Sequence, residues 1–505
     1  MIHNIINNKY YNKIFIFIFI TTLICSGASP FVNLVKEDQA ILYAIGKCIA
    51  KGQVLFRDVC DHKGSYLFFL NAISYLISSI FPFQNFIGLY IFEFISMLVM
   101  ALYLFKIFNI YLNKDLSFYS LLSFFAVYYY RGLFRFGNRY ETWILTMQIV
   151  SIYYILLSLN SLCKNDYSNI KFKYFFLHGI FVGIVFNMKM NYIAMWGALI
   201  FFFIYLIIKK EYILCFKNVV LGFLTGFIIA NIPMLIYCAI NNSFKEMFFW
   251  SILLNFNYVK SSSMSLFYRL YMTITEITYL PVYVIIFIGF IYLLIQKIDI
   301  KVKIYYLLSF VFSIYVVAMS YVGLFFFHYN IYMLPFMIPF FIMIFGIISK
   351  YERIYKNIIL KYSYYLLVIL FIIYANKILG RSKPMLNETE RNIIKSIQDS
   401  YSENNDLKVY ASDNEVYYVY CYTDVVPPKG IVVCSMFLNA ISDVYFKKMN
   451  SLINDNYDYV VLYYRLVRDY LAANSDYVNG INNMLKSDYD LISENDSTYF
   501  YKKHK

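Results

Sequence analysis

PFVNLVKEDQAILYAIGKCIAKGQVLFRDVCDHKGSY, residues Pro30 to Tyr66, is a charged stretch caught between two apolar segments. At roughly 35 residues it is longer than a connector between membrane helices requires, and loops of that length beside a bilayer usually carry function. Within it Ile41, Leu42, Ile45, Ile49 and Ala50 recur at helical spacing, which predicts a short amphipathic helix that starts near Asp38. Gly52, just after Lys51, supplies the stop. Such a helix would lie along the membrane surface with an acid at its N-terminus. The free N–H groups and the dipole there favour an ionised carboxylate, ready to accept a proton. A plain helix-capping role for Asp38 fits the spacing equally well.

The second half of the stretch places Arg57, His62 and Lys63 among Asp58 and Asp61, directly before an apolar segment from Tyr66 to Phe81. Cations at that depth match the height of a lipid headgroup phosphate. They would serve as well to anchor the following helix at the interface.

The order of an acid, an aromatic and Gly46 on a short helix, then Ala50-Lys51-Gly52, then Phe56-Arg57-Asp58, then Asp61-His62-Lys63-Gly64-Ser65, resembles the first extracytoplasmic loop of the GT-C superfamily of membrane glycosyltransferases. More closely it is similar to bacterial relatives of the protein O-mannosyltransferases and aminoarabinose transferases, where the pattern ends D-x-K-G-P or D-K-P-P. Ser65 stands where those relatives have Pro. The resemblance implies that Asp38 is the catalytic base and that Lys63, with Arg57 beside it, binds the phosphate of a polyprenyl-phosphate sugar. Glu37 offers a second register for the acid, and the spacing to Gly46 favours Asp38.

Working outward, the 505 residues are 61% hydrophobic and 21% aromatic, which excludes a soluble globular protein and points to a polytopic membrane protein. Mean hydropathy is +0.58. A net charge of +14 would suggest nucleic acid in a soluble chain. Here residues 381–505 hold 14 Lys and Arg against 17 Asp and Glu, so the first 380 carry the whole surplus, as residues flanking membrane spans. Nothing in the tail interleaves basic and aromatic residues as a nucleic-acid surface would.

Apolar runs at 14–25, 66–82, 86–105, 116–130, 141–160, 174–188, 191–208, 219–240, 272–295, 303–325, 330–348 and 358–375 predict an all-α polytopic domain over residues 1–380. Some are shorter than a full span, so counting broken or merged runs sets the expectation at about 11–13 helices in a GT-C-like arrangement. Ser26-Gly27-Ala28 also reads as a signal-peptidase site, and on either reading the loop at 30–65 lies outside the cytoplasm. Its five basic residues run against a strict positive-inside count, and phosphate binding would account for them. The eight cysteines form no C-x-x-C; Cys48 with Cys60, or Cys421 with Cys434, would be the pairs in an oxidising compartment.

Further candidates lie in the apolar domain. Arg131, Arg135 and Arg139 are four apart, a cationic stripe on a helix that would grip a phosphate or anchor a cytoplasmic end. The segment from Gly137 to Glu141 is similar to a G-G-N-x-E-E piece of the same relatives, which makes Glu141 a candidate second acid. Lys189 interrupts an apolar run, where a cation is expensive unless it lines a cavity or reaches the interface. His328, in Phe327-His328-Tyr329 with Pro335 beyond, is similar to another stretch of the relatives, and is either a ligand contact or a hydrogen-bonded packing residue.

After Lys377 the composition turns polar, and residues 381–505 read as a small α/β domain. A helix is expected at 388–402, strands at 408–411, 415–422, 430–434, 457–464 and 497–502, and helical patterns at 436–452 and 466–486. No nucleotide-binding motif is present, and no cofactor or metal is indicated, although a divalent cation is compatible with the chemistry. The expectation is therefore an inverting glycosyltransferase of the plasma membrane, its active site and C-terminal domain facing outward. It would use a polyprenyl-phosphate-linked sugar donor and a glycan, lipid or protein acceptor among membrane lipids. The alternatives are a lipid-linked oligosaccharide ligase or polymerase, or a lipid-sugar flippase or transporter.

Overall fold

The computed structural model describes residues 9–81, 85–129, 133–134, 137–260, 264–275, 280–319, 327–351, 357, 362–370, 372, 386–412, 416–432, 456–463, 483–494 and 498–504. They group into two compact units. The first gathers Met1–Val32, Tyr90–Pro233 and Ser262–Ser382; the second gathers Asn33–Leu89, Met234–Ser261 and Lys383–Lys505.

The first unit is helical. Its elements are α1 (Lys9–Cys25), most of α4 (Ile87–Tyr111), α5 (Lys114–Tyr128), α6 (Tyr140–Cys163), α7 (Phe172–Lys189), α8 (Ala198–Ile208) and the greater part of α9 (Leu221–Asn241). After these come α10 (Leu266–Thr275), α11 (Leu280–Ile295), α12 (Ile300–Met319) and α13 (Ile338–Ile348). Among the described residues six stretches are long and apolar enough to cross a bilayer: Ile87–Tyr111, Tyr140–Cys163, Phe172–Ile208, Tyr212–Asn241, Ile300–Met319 and Tyr329–Ile348. Two 3-10 segments interrupt this helical set, Met190–Gly197 after α7 and Phe327–Met337 before α13. The first falls at the polar Asn187–Asn191 break in the apolar pattern.

In the second unit α2 (Glu37–Ala50) and α3 (Ser65–Ser79) pack against each other across the β1 loop (Val59–Cys60). Gly46 makes the close approach possible, since a Cβ there would lie 2.5 Å from the carbonyl carbon of Asn71. The helix predicted from Asp38 is therefore present, but protein rather than a bilayer surface encloses it: every residue from Gln39 to Cys48 is buried. The segment expected to enter the membrane at 66–82 is α3, a helix of 15 residues, roughly 22 Å long and short of a ~30 Å hydrocarbon core.

The C-terminal part of this unit contributes α14 (Glu388–Glu403), β2 (Val409–Ala411), α15 (Tyr418–Tyr422), β3 (Ile431–Val432), β4 (Tyr459–Tyr463), β5 (Tyr489–Glu494) and β6 (Thr498–Lys503). Asn387 and Glu390 close a capping box on α14. The main sheet has the order β2-β4-β6-β5, with β2 parallel to β4 and the other two pairings antiparallel. β1 of the early loop pairs in parallel with β3, Val59 opposite Ile431 and Cys60 opposite Val432.

Two local expectations fail here. The strand expected at 415–422 is the helix α15: a Tyr- and Val-rich run has strand propensity, but Tyr418 to Cys421 are buried by packing on α2, and tertiary contact overrides propensity. The strand β5 falls outside the expected strands, because its exposed residues break the alternation that marks a strand. Cys48 and Cys60 are both buried and form no disulfide; Cys421 forms none either, and Cys434 lies outside the described residues. The helical patterns at 436–452 and most of 466–486 lie outside them as well.

Candidate active site

In the second unit the candidate acid sits in the first turn of α2, half-buried, where the open N–H groups of the helix favour its ionised form. Glu37 precedes it with a left-handed backbone, φ +52°, costly for a non-glycine residue. Phe56 repeats this at φ +69° in the loop that carries the cations. Among the described residues seven with side chains have positive φ, and three of them, Asn33, Glu37 and Phe56, lie in this one loop.

The loop is pinned along its length. Asp58 Oδ2 accepts from the Val54 N–H at 2.9 Å, and the Leu55 N–H donates to the Tyr237 hydroxyl at 2.8 Å. Arg57 forms a two-point pair with Asp58, Nε to Oδ1 at 3.0 Å and Nη2 to Oδ2 at 3.2 Å, and its side chain is 48% exposed. That hydrogen bond holds the Asp58 carboxyl below the usual carboxylate range.

Lys63 is buried, and Asp61 is what holds it. The Asp61 carboxylate accepts the Lys63 backbone N–H at 3.0 Å, faces the Lys63 ammonium at 3.4 Å and faces His62 Nδ1 at 2.7 Å. Burial pushes this carboxyl up, but the Lys63 and His62 charges outweigh it and hold the group below the ordinary carboxylate range. Asn255 Nδ2 donates to the His62 carbonyl at 2.8 Å, so the 241–260 segment also shapes the site. The sequence places Asp61 beside Lys63, yet its part as the shared anchor of two cations needs the folded loop to be seen.

In the first unit Glu141 opens α6 and is fully buried, under the electrostatic influence of Lys189 and Arg139. Lys189, the last residue of α7, donates to the Tyr140 hydroxyl at 2.9 Å. Its ammonium lies 4.4 Å from the ring centre of Tyr329, 4.9 Å from that of Tyr192 and 5.0 Å from that of Tyr140. Three aromatic faces replace the water that a cation at a helix end would otherwise keep. Arg131 and Arg135 lie outside the described residues, so only Arg139 of that stripe is placed, as the residue preceding α6. His328 lies on the 3-10 segment Phe327–Met337, its side chain outside the described residues.

Two buried groups here escaped the sequence reading. Glu93, within α4, is fully buried and accepts hydrogen bonds from the Ser26 hydroxyl and from the Asn138 N–H, the latter at 3.1 Å. Gly137, φ +76°, leaves room for that carboxylate, which a Cβ would displace. Arg269, on the otherwise apolar-faced α10, is 4% exposed and donates to the Met264 carbonyl at 3.2 Å and the Met319 carbonyl at 3.4 Å. An acid inside an apolar run was the available signal for Glu93. For Arg269 the sequence offers only a cation on an amphipathic helix.

An apolar cavity of about 280 Å³ lies elsewhere in this unit, lined among others by Tyr111, Ile152, Tyr292, Tyr305, Phe336 and Ile342. Among the described residues no group of three or more His, Cys, Asp and Glu side chains gathers to hold a metal.

Residues 68–237 match the model of the dolichyl-phosphate-mannose-protein mannosyltransferase family, about a third of the chain, beginning just after Lys63. The crystal structure of ArnT from Cupriavidus metallidurans bound to undecaprenyl phosphate is similar, with a TM-score of 0.60 at 10% identity over 97% of each chain. Its apo form gives 0.62 at 10% identity with the same coverage. The Archaeoglobus fulgidus oligosaccharyltransferase tethered to an acceptor peptide gives 0.53 at 12% identity, over 99% of this chain and 74% of that one. No curated protein matches the chain in sequence. The helical architecture with a small added sheet is thus the GT-C fold over nearly the whole chain, and the sequence likeness to the mannosyltransferase family covers residues 68–237.

Proposed function

We propose that this multi-pass membrane protein of the GT-C fold is a glycosyltransferase. It moves a sugar from a polyprenyl-phosphate donor to an acceptor hydroxyl of an envelope glycan, lipid or protein at the outer face of the plasma membrane. The acceptor oxygen attacks the anomeric carbon, and its proton passes to the Asp38 carboxylate. The bond from that carbon to the phosphate oxygen breaks, and its electron pair leaves with the lipid phosphate. A single displacement of this kind inverts the anomeric centre. Lys63 offers its charge to the leaving phosphate, and Arg57 approaches the same headgroup. Glu141, Lys189 and His328 remain candidate contacts in the helical unit.

The observation that supports this most is that one compact unit of a GT-C chain holds both an acid at a helix N-terminus, Asp38, and a buried lysine fixed by a carboxylate, Lys63. The likeness to an oligosaccharyltransferase supports a second reading, transfer of a longer glycan from a lipid-linked oligosaccharide.

The test is transfer from a panel of radiolabelled polyprenyl-phosphate sugars into membranes holding the wild type or Asp38→Asn. Loss of the base is expected to lower the rate by about 10² to 10⁴-fold with insertion intact. Lys63→Ala is expected to weaken donor binding by about 10 to 100-fold. Equal incorporation by Asp38→Asn would remove the base assignment. Incorporation only from oligosaccharide-loaded lipid would favour the second reading.

A further inference from the structure

Lys47 is a buried cation that the proposed chemistry does not use. It lies on α2, 2% exposed, and its ammonium donates to three backbone carbonyls: Tyr420 at 3.1 Å, Val425 at 3.0 Å, and Thr423. An ammonium has three protons, and all three are committed to backbone oxygen. Those carbonyls belong to the end of α15 and the turn beyond it, where helix geometry leaves them without partners of their own. Burial and the neighbouring Lys51 push the Lys47 amine down to about 8, against the pull of Asp424.

The same helix face continues the attachment. Lys51 Nζ donates to the Asp424 carbonyl at 2.7 Å, and Cys421 Sγ approaches the Ala40 carbonyl at 3.4 Å. Beyond the helix Gln53 Nε2 donates to the Pro427 carbonyl at 3.0 Å, and the Gly430 N–H donates to the Asp58 carbonyl at 2.5 Å. Before it Lys36 pairs with Glu390 at 2.7 Å, and the Tyr422 hydroxyl bridges the Val35 N–H and the Asn33 carbonyl, each at 3.0 Å. At ~100° per residue Ala40, Ala44, Lys47 and Lys51 form one stripe, roughly opposite Asp38 around the helix axis. Gly46 and Tyr43 occupy the side between, against α3 and the Asn85 carbonyl.

We propose that Lys47 is a positioning residue: by clamping the back of α2 to residues 420–425 it fixes the direction in which the opposite face presents Asp38. The C-terminal segment then takes part in the transfer step through this helix, besides any contact it makes with an acceptor. The inference rests on Asp38 being the base.

The experiment compares full-length wild type, Lys47→Met and Lys47→Arg in membranes, reading kcat and the donor KM separately. Lys47→Met is expected to lower kcat by about a hundredfold, since a small misplacement of a reacting group has that effect, with the donor KM within about twofold because Lys63 and Asp61 are untouched. Lys47→Arg keeps the charge in a planar fork and is expected to restore part of kcat. A second readout needs no activity: labelling of Asp38→Cys by a thiol reagent, against the parent chain as background, is expected to speed up about tenfold when Lys47→Met is added.

Unchanged kcat in an inserted Lys47→Met chain, or a loss confined to the donor KM, overturns the proposal. If Lys47→Met does not insert, the double variant Lys51→Ala, Gln53→Ala takes its place, and an unchanged kcat and labelling rate there overturns it as well. If the wild type transfers from no donor, the functional reading fails, and the labelling rates alone decide this one.

Discussion

Asp61 shows how a single residue decides what a neighbouring cation can do. Removing one partner of a buried charge cluster costs about 3–5 kcal/mol, because the other charges stay buried without it. Its folded pKa lies below the ordinary carboxyl value of 3.8, so its contribution is complete above that value and is lost as pH falls through the folded one. Asp61→Asn is therefore expected to lower the melting temperature in detergent at pH 5 to 8. The gap from wild type should narrow only in stronger acid. A gap that closes already near pH 5 would show that Lys63 and His62 do not hold the carboxylate charged. Arg57 and Asp58 are a contrasting case: the Arg57 side of the pair is exposed, and solvent screening leaves such a contact worth little.

At the scale of elements, the crossing of α2 on α3 depends on the missing side chain at Gly46. A Cβ there meets the Asn71 carbonyl carbon at 2.5 Å and the Ala72 nitrogen at 2.6 Å, both backbone atoms that cannot rotate away. Gly46→Val is expected to destabilise the second unit by about 1–3 kcal/mol through overpacking, read as a lower melting temperature and faster proteolysis in the 51–64 loop. An unchanged melting temperature and cleavage rate would mean that the two helices cross differently. α2 covers the buried side of α3, while Ile73 and Leu76 on α3 are exposed.

For the whole molecule, the grouping of residues 33–89, 234–261 and 383–505 into one unit makes a prediction about sidedness. Lys51 and Asn404 are both exposed within that unit. Cysteines at positions 51 and 404 are expected to react with an impermeant thiol reagent from the same side of the membrane, the outer one on the proposed function. Labelling from opposite sides would break the unit apart, and labelling of both only from the cytoplasm would reverse the proposed orientation.

Much of this was legible in the chain. Composition and apolar runs of adequate length are local properties, so the polytopic class could be read directly, as could the α2 helix with its stop at Gly52 and the helix α14. The acid at the start of α2 and the lysine before α3 stand in one continuous stretch, so their candidacy also needs no fold. What only the tertiary structure decided is what covers each element. Apolar periodicity reports that a face is buried, and is silent on whether lipid or protein buries it. Thus α2 read as a helix on a bilayer and Tyr418–Tyr422 as a strand, while protein packing buries both. Lys47 was invisible as a site for the same reason: its partners, carbonyls of residues 420–425, are brought to it only when the chain closes, and the free energy of burying a charge depends on those partners.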